Sequence, residues 1–211
     1  MCGRFSLTVS ADVLAAHFHL KNGIVMKPRY NIAPSQVVPV LKVPGTIEFL
    51  QWGFVPAWRQ GKQEQGFINA RVETISQKPS FRHAFQKRRC LVVADGYYEW
   101  KTISKIKQPY YIRREDRSIF AFAGIWENET CAILTTVADI HLLAFHERMP
   151  LILPPSTYST WLNPGSSLKD QIEPLMYDRE NGIEENNFEI YAVSTVVNNP
   201  AFEGPQCIQA L

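Results

Sequence analysis

A cysteine directly after the first methionine carries the most distinctive chemistry in this chain. Removal of Met1, which is normal before a small residue, exposes Cys2 with an amine and a thiol on adjacent carbons. An α-amine has a pKa of about 7.7–8.0 and a lysine amine one of about 10.4, so the α-amine is the better nucleophile at neutral pH. It attacks an aldehyde to give a Schiff base, which the thiol closes into a thiazolidine. The alternative is an incidental cysteine.

Glu99 is a second candidate for chemistry, because it lies among Tyr97, Tyr98 and Trp100 in the segment ADGYYEW. A carboxylate held against aromatic rings either pairs with a partner or has its pKa raised. Carboxyl groups with a raised pKa are suited to acid/base catalysis. The alternative is a structural carboxylate that is hydrogen-bonded to the backbone or to an arginine.

His146 is a third candidate, in the segment FHERMP, where it is predicted to end a helix. Histidine titrates near neutral pH and can move a proton between sugar oxygens when a hemiacetal opens to the aldehyde. A partly buried structural histidine is the alternative. His141 lies five residues earlier and so on another helix face, which disfavours a metal pair. We therefore predict no metal site and no cofactor.

Asn69 and Arg71 alternate with apolar residues in INARVET, so both side chains point to one side if the segment is extended. An amide and a guanidinium facing one cleft suit a sugar hydroxyl and a phosphate. The alternative is a salt bridge between Arg71 and a carboxylate such as Glu73 or Glu99.

The composition limits the class of protein. The 211 residues, 45% of them hydrophobic, are enough for one domain over 1–211, and 22 basic against 20 acidic residues give a net charge of only +2. Any nucleic-acid site must therefore be a local groove. The four cysteines, at 2, 90, 131 and 207, have neither metal-knuckle spacing nor disulfide-scaffold density. No signal peptide or membrane span is evident, so we predict a cytoplasmic protein. We also expect a monomer.

Strand-like segments dominate the chain and predict a strongly curved or barrel-like sheet that positions these side chains. The segment 101–109 reads as a basic hairpin tip between two aromatic strands. The predicted strands are 37–43, 46–55, 90–94, 97–101, 109–114, 118–126, 131–137 and 188–193. Short peripheral helices are predicted from Ser10 to Phe18 and at about 79–88, 139–146, 155–162 and 168–177. The fold class is α+β and mostly β.

Six motifs occur in order along the chain and carry a resemblance to a known family. They are MCGRF (1–5), RYNIAP (29–34), the tryptophan-containing segment 52–58, INARVET (68–74), ADGYYEW (94–100) and FHERMP (145–150). Together they resemble the SRAP family, the SOS response-associated peptidase or abasic-site processing proteins. STVVNN (194–199) is similar to the family's C-terminal segment, whereas 163–187 matches no motif.

The resemblance implies the SRAP fold, with an N-terminal cysteine at the bottom of a DNA-binding channel. On this similarity Cys2 is the covalent nucleophile, and Asn69 holds its terminus and the sugar. Glu99 is the acid/base partner, and His146 assists ring opening and reversal of the adduct.

The resemblance also implies five DNA contacts. Arg4, Arg71 and Arg148 are expected to meet phosphates, while Pro34 and Trp58 supply apolar surfaces for bases beside the lesion.

The implied function is capture of abasic sites in single-stranded DNA through a Cys2 thiazolidine, which shields them during DNA repair. The partner is then single-stranded DNA carrying an abasic site, and the bound protein is expected at the nucleoid. A rival enzyme class is a thiol peptidase or N-terminal nucleophile hydrolase, including self-cleavage after Met1, and strand cleavage of the AP lyase type is a further possibility. A non-enzymatic alternative is a reversible binding module for single-stranded or modified DNA.

Overall fold

Strands form most of the structure, a computed structural model that describes residues 2–59, 66–174 and 188–211. In chain order the strands are β1 (Phe5–Leu7), β2 (Arg29–Ile32), β3 (Val37–Val43), β4 (Thr46–Trp52), β5 (Asn69–Arg71), β6 (Arg89–Ala94), β7 (Gly96–Ile103), β8 (Ile106–Arg114), β9 (Phe120–Glu127), β10 (Thr130–Val137), β11 (Arg148–Pro150), β12 (Ile152–Leu153) and β13 (Phe188–Ala192). All eight strands predicted from the sequence are present, with shifted ends.

The larger sheet closes on itself. Its strands follow the order β11-β10-β4-β3-β6-β9-β12, β5 pairs with β10, and β9 also pairs with β10. The last pairing joins β10, β4, β3, β6 and β9 into a closed ring. The predicted barrel-like curvature is therefore confirmed, and closure leaves these five strands without a free edge.

The second sheet has the order β13-β8-β7-β1-β2 and packs on the barrel. The ring of Phe5 on β1 contacts Trp52 and Phe122 of the barrel, with centroids 5.1 Å and 5.8 Å away. Tyr97 on β7 also contacts Phe122, at 6.0 Å. Residues of both sheets thus share one hydrophobic core.

The predicted hairpin at 101–109 is confirmed as the β7–β8 hairpin. Ile103 pairs with Ile106, and the two residues between them, Ser104 and Lys105, have φ angles of 47° and 72°. Positive φ at both central residues is the mark of the tight turn whose twist matches that of the flanking strands.

Helices are short and lie around the sheets. They are α1 (Ala11–Phe18), α2 (Arg82–Lys87) and α3 (Tyr158–Leu162), with 3-10 turns at Ala57–Arg59, Pro155–Thr157, Thr195–Asn198 and Pro205–Cys207. Ser10 caps α1, as predicted, because its hydroxyl accepts a hydrogen bond from the backbone of Val13 at 3.4 Å. In the parts of the chain that are described, no helix is both long and apolar enough to span a membrane.

Two predicted helices differ from the structure. The segment 139–146 forms consecutive turns, because the carboxylate of Asp139 accepts hydrogen bonds from the backbone of His141 and Leu142 and so competes with helix formation. The predicted helix at 168–177 begins as the π-helical turn Leu168–Ile172 and is helical to residue 174, where the described residues end. Residues 175–187, including most of the segment that matched no motif, lie outside the described residues.

A buried arginine joins two helix ends. The guanidinium of Arg89, only 3% exposed, donates to the carbonyl oxygens of Phe85 and Gln86 at the end of α2. It also donates to the carbonyls of Trp161 and Asn163 at the end of α3. One side chain thus satisfies carbonyl groups that have no partner within their own helices.

Replacement of Arg89 by Met is expected to lower the free energy of unfolding by about 3 kcal/mol, because it leaves several buried carbonyl groups without donors. Arg89→Lys should recover only part of this loss, since an ammonium lacks the planar fork that reaches both helices. Urea denaturation measures both effects, with Arg82→Met, an exposed arginine of α2, as the matched control. Full stability of Arg89→Lys would contradict the forked contact.

Candidate active site

The pairing of β1 with β7 brings the start of the chain to the site. Phe5 pairs with Tyr97, and the backbone N–H of Tyr98 donates to the carbonyl of Arg4 at 3.0 Å. The antiparallel register therefore runs Cys2 alongside the end of the ADGYYEW segment that carries Glu99.

Side-chain contacts fix this register. The hydroxyl groups of Ser6 and Thr8 donate to the two carboxylate oxygens of Asp95, each at 2.6 Å. Gly96 is required at its position, because a Cβ there would lie 2.1 Å from the hydroxyl oxygen of Tyr111. That hydroxyl in turn lies 2.7 Å from the hydroxyl of Ser6. Asp95 and Tyr111 therefore both hold β1 in place.

Cys2 is fully buried, and its backbone is held by Asn69. The side-chain amide nitrogen of Asn69 donates to the carbonyl oxygen of Cys2 at 2.8 Å. Burial raises the pKa of the Cys2 thiol well above its usual value, and the charge of Glu99 raises it further. The thiol is therefore protonated at neutral pH.

Glu99 is 4% exposed and lies on β7 two residues after Tyr97. Burial raises the pKa of this carboxyl to about 7, although the positive charge at the start of the chain acts in the opposite direction. A carboxyl group with this pKa is present in both protonation states at neutral pH.

The sequence left open a salt bridge between Arg71 and Glu73. In the structure, Glu73 pairs with Arg148 instead.

His146 lies at the end of the turns at 139–146 and is half-buried. Its backbone N–H donates to the carbonyl of Leu142 at 3.0 Å, and its ring Nδ1 accepts from the backbone N–H of Arg148 at 2.9 Å. Burial lowers the pKa of the imidazole, and the charge at the start of the chain lowers it further. The neutral ring with an acceptor at Nδ1 carries its proton on Nε2.

A cleft of about 470 Å³ brings three of the predicted residues together: Arg4, Glu99 and His146. Four other residues line it that were not predicted, namely Trp100, Thr102, Lys107 and Asn198. Trp100 and Asn198 belong to the motifs ADGYYEW and STVVNN, so the motifs contained a signal for them. Glu99 lines the cleft, and its charge raises the pKa of the Cys2 thiol, so Cys2 lies beside this cleft.

The STVVNN segment builds one wall of the cleft. A guanidinium nitrogen of Arg4 donates to the side-chain oxygen of Asn31 at 2.6 Å and to the carbonyl of Val197 at 2.7 Å. The indole N–H of Trp100 donates to the side-chain oxygen of Asn198 at 2.6 Å. The Arg4 guanidinium lies 5.9 Å from the centre of the Trp100 ring. This wall is therefore rigid.

The other predicted DNA contacts lie outside the lining of this cleft. Pro34 is half-buried, whereas Arg71 is exposed and Trp58 is 64% exposed. Arg59 covers part of Trp58, with its guanidinium 5.8 Å from the ring centre. These positions are on the surface, where a strand longer than the cleft would meet them.

Arg148, one of the residues expected to meet a phosphate, forms an ion pair within the structure. It is 7% exposed and binds the carboxylate of Glu73 through two nitrogens, at 2.7 Å and 2.9 Å. It also donates to the carbonyl of Thr135 at 2.6 Å. Only its Nε lacks an acceptor among the described residues. A phosphate bound by Arg148 would meet a guanidinium that is already largely engaged.

The fold and the site together define a class of β-barrel proteins in which a buried cysteine near the start of the chain lies beside an acidic residue and a polar cleft. The chain belongs to the SRAP family, whose model, described as SOS response associated peptidase, matches residues 1–200. The resemblance stated from the sequence is confirmed.

Relatives of known name extend across kingdoms. The chain is 35% identical to the abasic site processing protein YoqW of Bacillus subtilis (strain 168), with both chains fully covered. It is 30% identical to the abasic site processing protein YedK of Escherichia coli (strain K12), with 99% of each covered. It is 26% identical to the abasic site processing protein HMCES of Xenopus tropicalis, covering all of this chain and 78% of that one.

Solved structures agree with the fold. A crystal structure of a Bacteroides thetaiotaomicron protein aligns with a TM-score of 0.86 at 28% identity and covers both chains completely. A phage-related protein of Bordetella bronchiseptica aligns with a TM-score of 0.72 at 28% identity, covering 91% of this chain and 94% of that one. The barrel and its second sheet are therefore shared with experimental structures.

Glu99→Gln is expected to raise the free energy of unfolding by about 3 kcal/mol at pH 8 and to leave it unchanged at pH 4. The folded carboxyl has a pKa of about 7 against a usual value of 4.5, so it stays protonated in the folded state while the unfolded one ionises. Its contribution to stability is complete below pH 4.5 and is lost as the pH rises to 7, whereas Gln stays neutral.

Denaturant titrations at a series of pH values measure this difference. Glu115→Gln, which changes an exposed carboxylate, is the matched control and should show no such pH dependence. A stability difference for Glu99→Gln that is the same at pH 4 and pH 8 would show that the carboxyl has an ordinary pKa.

Proposed function

We propose that this protein captures abasic sites in single-stranded DNA by covalent bonding of Cys2 to the ring-opened sugar aldehyde. The observation that carries the proposal is the placement of Cys2. Asn69 holds its carbonyl at 2.8 Å, and Glu99 adjoins both the thiol and the cleft. The relatives named abasic site processing proteins support the same substrate class. The proposal requires removal of Met1 and treats 1–211 as one domain.

The bond-forming steps follow from an amine and a thiol on one residue. The Cys2 amine adds to C1′ of the aldehyde, and the resulting carbinolamine, protonated on its hydroxyl, loses water to give an iminium ion. The thiol then gives up its proton to a base and its sulfur adds to the iminium carbon, which closes the thiazolidine with the nitrogen keeping its own hydrogen. No oxidant or cofactor enters this sequence. Asn69 acts by holding the Cys2 backbone so that only one approach of the aldehyde is productive.

Glu99 supplies the acid and the base for these steps. In its protonated form it donates to the departing hydroxyl of the carbinolamine, and the resulting carboxylate accepts the proton of the thiol. A pKa of about 7 suits both transfers. The base is needed because burial keeps the Cys2 thiol protonated at neutral pH.

His146 is proposed to open the sugar ring. An abasic sugar is mostly a closed hemiacetal, and its ring oxygen must gain a proton when the C1′ bond to it breaks. The neutral imidazole carries its proton on Nε2, because Nδ1 accepts from the backbone of Arg148. The same group would take the proton back when the adduct reverses.

DNA contacts are proposed at both the cleft and the surface around it. Arg4 lines the cleft, where its guanidinium is the first proposed phosphate donor. Arg71 and the Nε of Arg148 are the other proposed phosphate donors. Pro34 and the exposed ring of Trp58 would receive bases. Such a surface favours single strands, because a duplex would first have to extrude the site.

The mature protein is expected to form a heat-stable covalent complex with single-stranded DNA that carries an abasic site. Cys2→Ser keeps the amine but lacks the thiol, so its imine should be trapped only after borohydride reduction. Protein that retains Met1 should form no thiazolidine. Cys90→Ser, which removes a buried cysteine of β6 outside the cleft lining, is the matched control and should react like the wild type. Denaturing gels and intact mass spectrometry measure each adduct.

Other outcomes would point to the rival activities. A normal adduct from protein that retains Met1 would show that another group reacts. Turnover of unrelated peptides, lost in Cys2→Ser, would favour a peptidase, and shortened DNA without a stable adduct would favour an AP lyase. Equal, reversible and salt-dependent binding of intact and abasic strands would favour a binding module. Cytoplasmic location and a monomeric state remain predictions from the sequence.

His146→Gln is expected to slow adduct formation with a closed abasic sugar by about 100-fold, the usual contribution of a positioned acid or base. Its rate with a small acyclic aldehyde should stay close to wild type, because no ring has to open. His141→Gln, an exposed histidine of the same turns, is the matched control. Equal slowing with both aldehydes would place His146 in another step.

A further inference from the structure

The β7–β8 hairpin extends beyond the cleft that it helps to form. Thr102 and Lys107 pair across the hairpin and both line the cleft. The next pair outward is Ile103 with Ile106, and the turn follows directly. The hairpin tip, defined here as Lys101, Ile103, Lys105 and Ile106, therefore follows the cleft wall directly along the hairpin. Its Ile103 and Ile106 lie opposite Thr102 and Lys107, on the face of β7 that carries Glu99.

The tip exposes two large aliphatic side chains at a place where polar residues are usual. Ile103 is 44% exposed and Ile106 is 61% exposed. Because they are direct cross-strand partners, their side chains lie on the same face of the hairpin. Together they form a small apolar surface at the end of β7, the strand that carries the acidic residue of the site.

The tip is also strongly basic in a chain that is close to neutral. Residues 100–114 contain five of the 22 basic residues and none of the 20 acidic ones. Two of the five are neutralised, since Arg113 pairs with Glu189 at 2.8 Å and Arg114 with Asp116 at 3.3 Å.

The other three basic residues, Lys101, Lys105 and Lys107, form no ion pair with any residue that the structure describes. Lys101 lies with its ammonium 5.7 Å from the ring centre of Phe145, next to His146. The unpaired positive charge of the hairpin therefore runs from the cleft to the turn.

Alternation along β7 sets the distance from the site to the tip. Glu99, Lys101 and Ile103 lie on one face of the strand, and four residues at about 3.3 Å each place Ile103 about 13 Å from Glu99. A DNA strand whose bases stay stacked between the site and the tip rises about 3.4 Å per nucleotide and covers that distance in about four nucleotides.

We propose that the hairpin tip is a second DNA-contact surface, which holds the strand about four nucleotides from the abasic site. The lysines contact phosphates, and the isoleucine pair packs against the faces of unstacked bases without reading their sequence. This proposal rests on the proposed function for the identity of the DNA. It assigns to the hairpin the task of retaining the strand while Cys2 reacts.

The test measures non-covalent affinity for a strand of about 15 nucleotides that carries a tetrahydrofuran analogue of the abasic site, which has no aldehyde. Lys101→Gln/Lys105→Gln should lower the slope of log Kd against log salt by about 1.4, which is about 0.7 for each phosphate contact. Ile103→Ser/Ile106→Ser should weaken binding by about fivefold or more and leave that slope unchanged. Val13→Ser/Lys87→Gln, which alters exposed residues of α1 and α2, is the matched control.

A second measurement separates this proposal from the proposed function. A strand of about three nucleotides with a reactive abasic site should be crosslinked equally by the wild type and both hairpin variants, because it does not reach the tip. Unchanged affinity of both variants for the long strand would overturn the hairpin proposal and leave the crosslinking intact. Absence of crosslinking by the wild type, with the predicted affinity changes present, would overturn the proposed function and leave the hairpin surface standing.

Sedimentation of the free protein tests whether a second copy of the chain, rather than DNA, covers the hairpin tip. The hairpin proposal expects the same sedimentation coefficient for the wild type and for Ile103→Ser/Ile106→Ser at the concentrations used for binding. A wild-type dimer that dissociates in this variant would overturn the proposal, because the isoleucines would then cover an interface between two copies of the chain.

Discussion

The antiparallel pairing of β1 with β7 is the interaction on which the site depends. It aligns the first residues of the chain with a segment almost 100 residues later, and so brings Cys2 and Glu99 together. Asp95 fixes the pairing through the hydroxyl groups of Ser6 on β1 and of Thr8 just after it, and the absence of a side chain at Gly96 admits the Tyr111 ring that supports the pairing. A slip of one residue would turn every side chain of β1 to the opposite face and separate the pair.

Burial then determines the charge state of each group in the site. It keeps the Cys2 thiol protonated, brings the pKa of Glu99 to about 7 and keeps the His146 ring neutral. At pH 7 the thiol and the imidazole are therefore neutral, whereas Glu99 is present both as the carboxyl and as the carboxylate. Glu99 can thus act as an acid in one step and as a base in the next, which suits condensation of an amine with an aldehyde.

Much of the fold was predictable because its signals are local. Alternating apolar residues located the strands, Ser10 marked the start of α1, and the polar tip marked the β7–β8 hairpin. Two features were not visible in the spacing of apolar residues. The carboxylate of Asp139 replaces a helix by turns through local hydrogen bonds, and the pairings that close the predicted barrel, β9 with β10 and β10 with β4, join strands whose partners that spacing does not specify.

For the site, the motifs identified the candidate residues, but the sequence did not indicate which residues these side chains contact. The sequence indicated Cys2 and Glu99 as reactive. It did not indicate that Glu73 pairs with Arg148 rather than with Arg71, which is nearer in the sequence. The wall formed by Val197 and Asn198 has no local signal that links it to Arg4 or Trp100, because these contacts join opposite ends of the chain.

The bond between Arg4 and the carbonyl of Val197 spans 193 positions of the chain, and it sets an order of events during protein synthesis. The ribosome makes Val197 about 10–40 s after the first residues at common rates of elongation. Until then, the first residues lack the wall against which Arg4 is held. Removal of Met1, which the proposed function requires, thus has most of translation in which to occur before this wall forms.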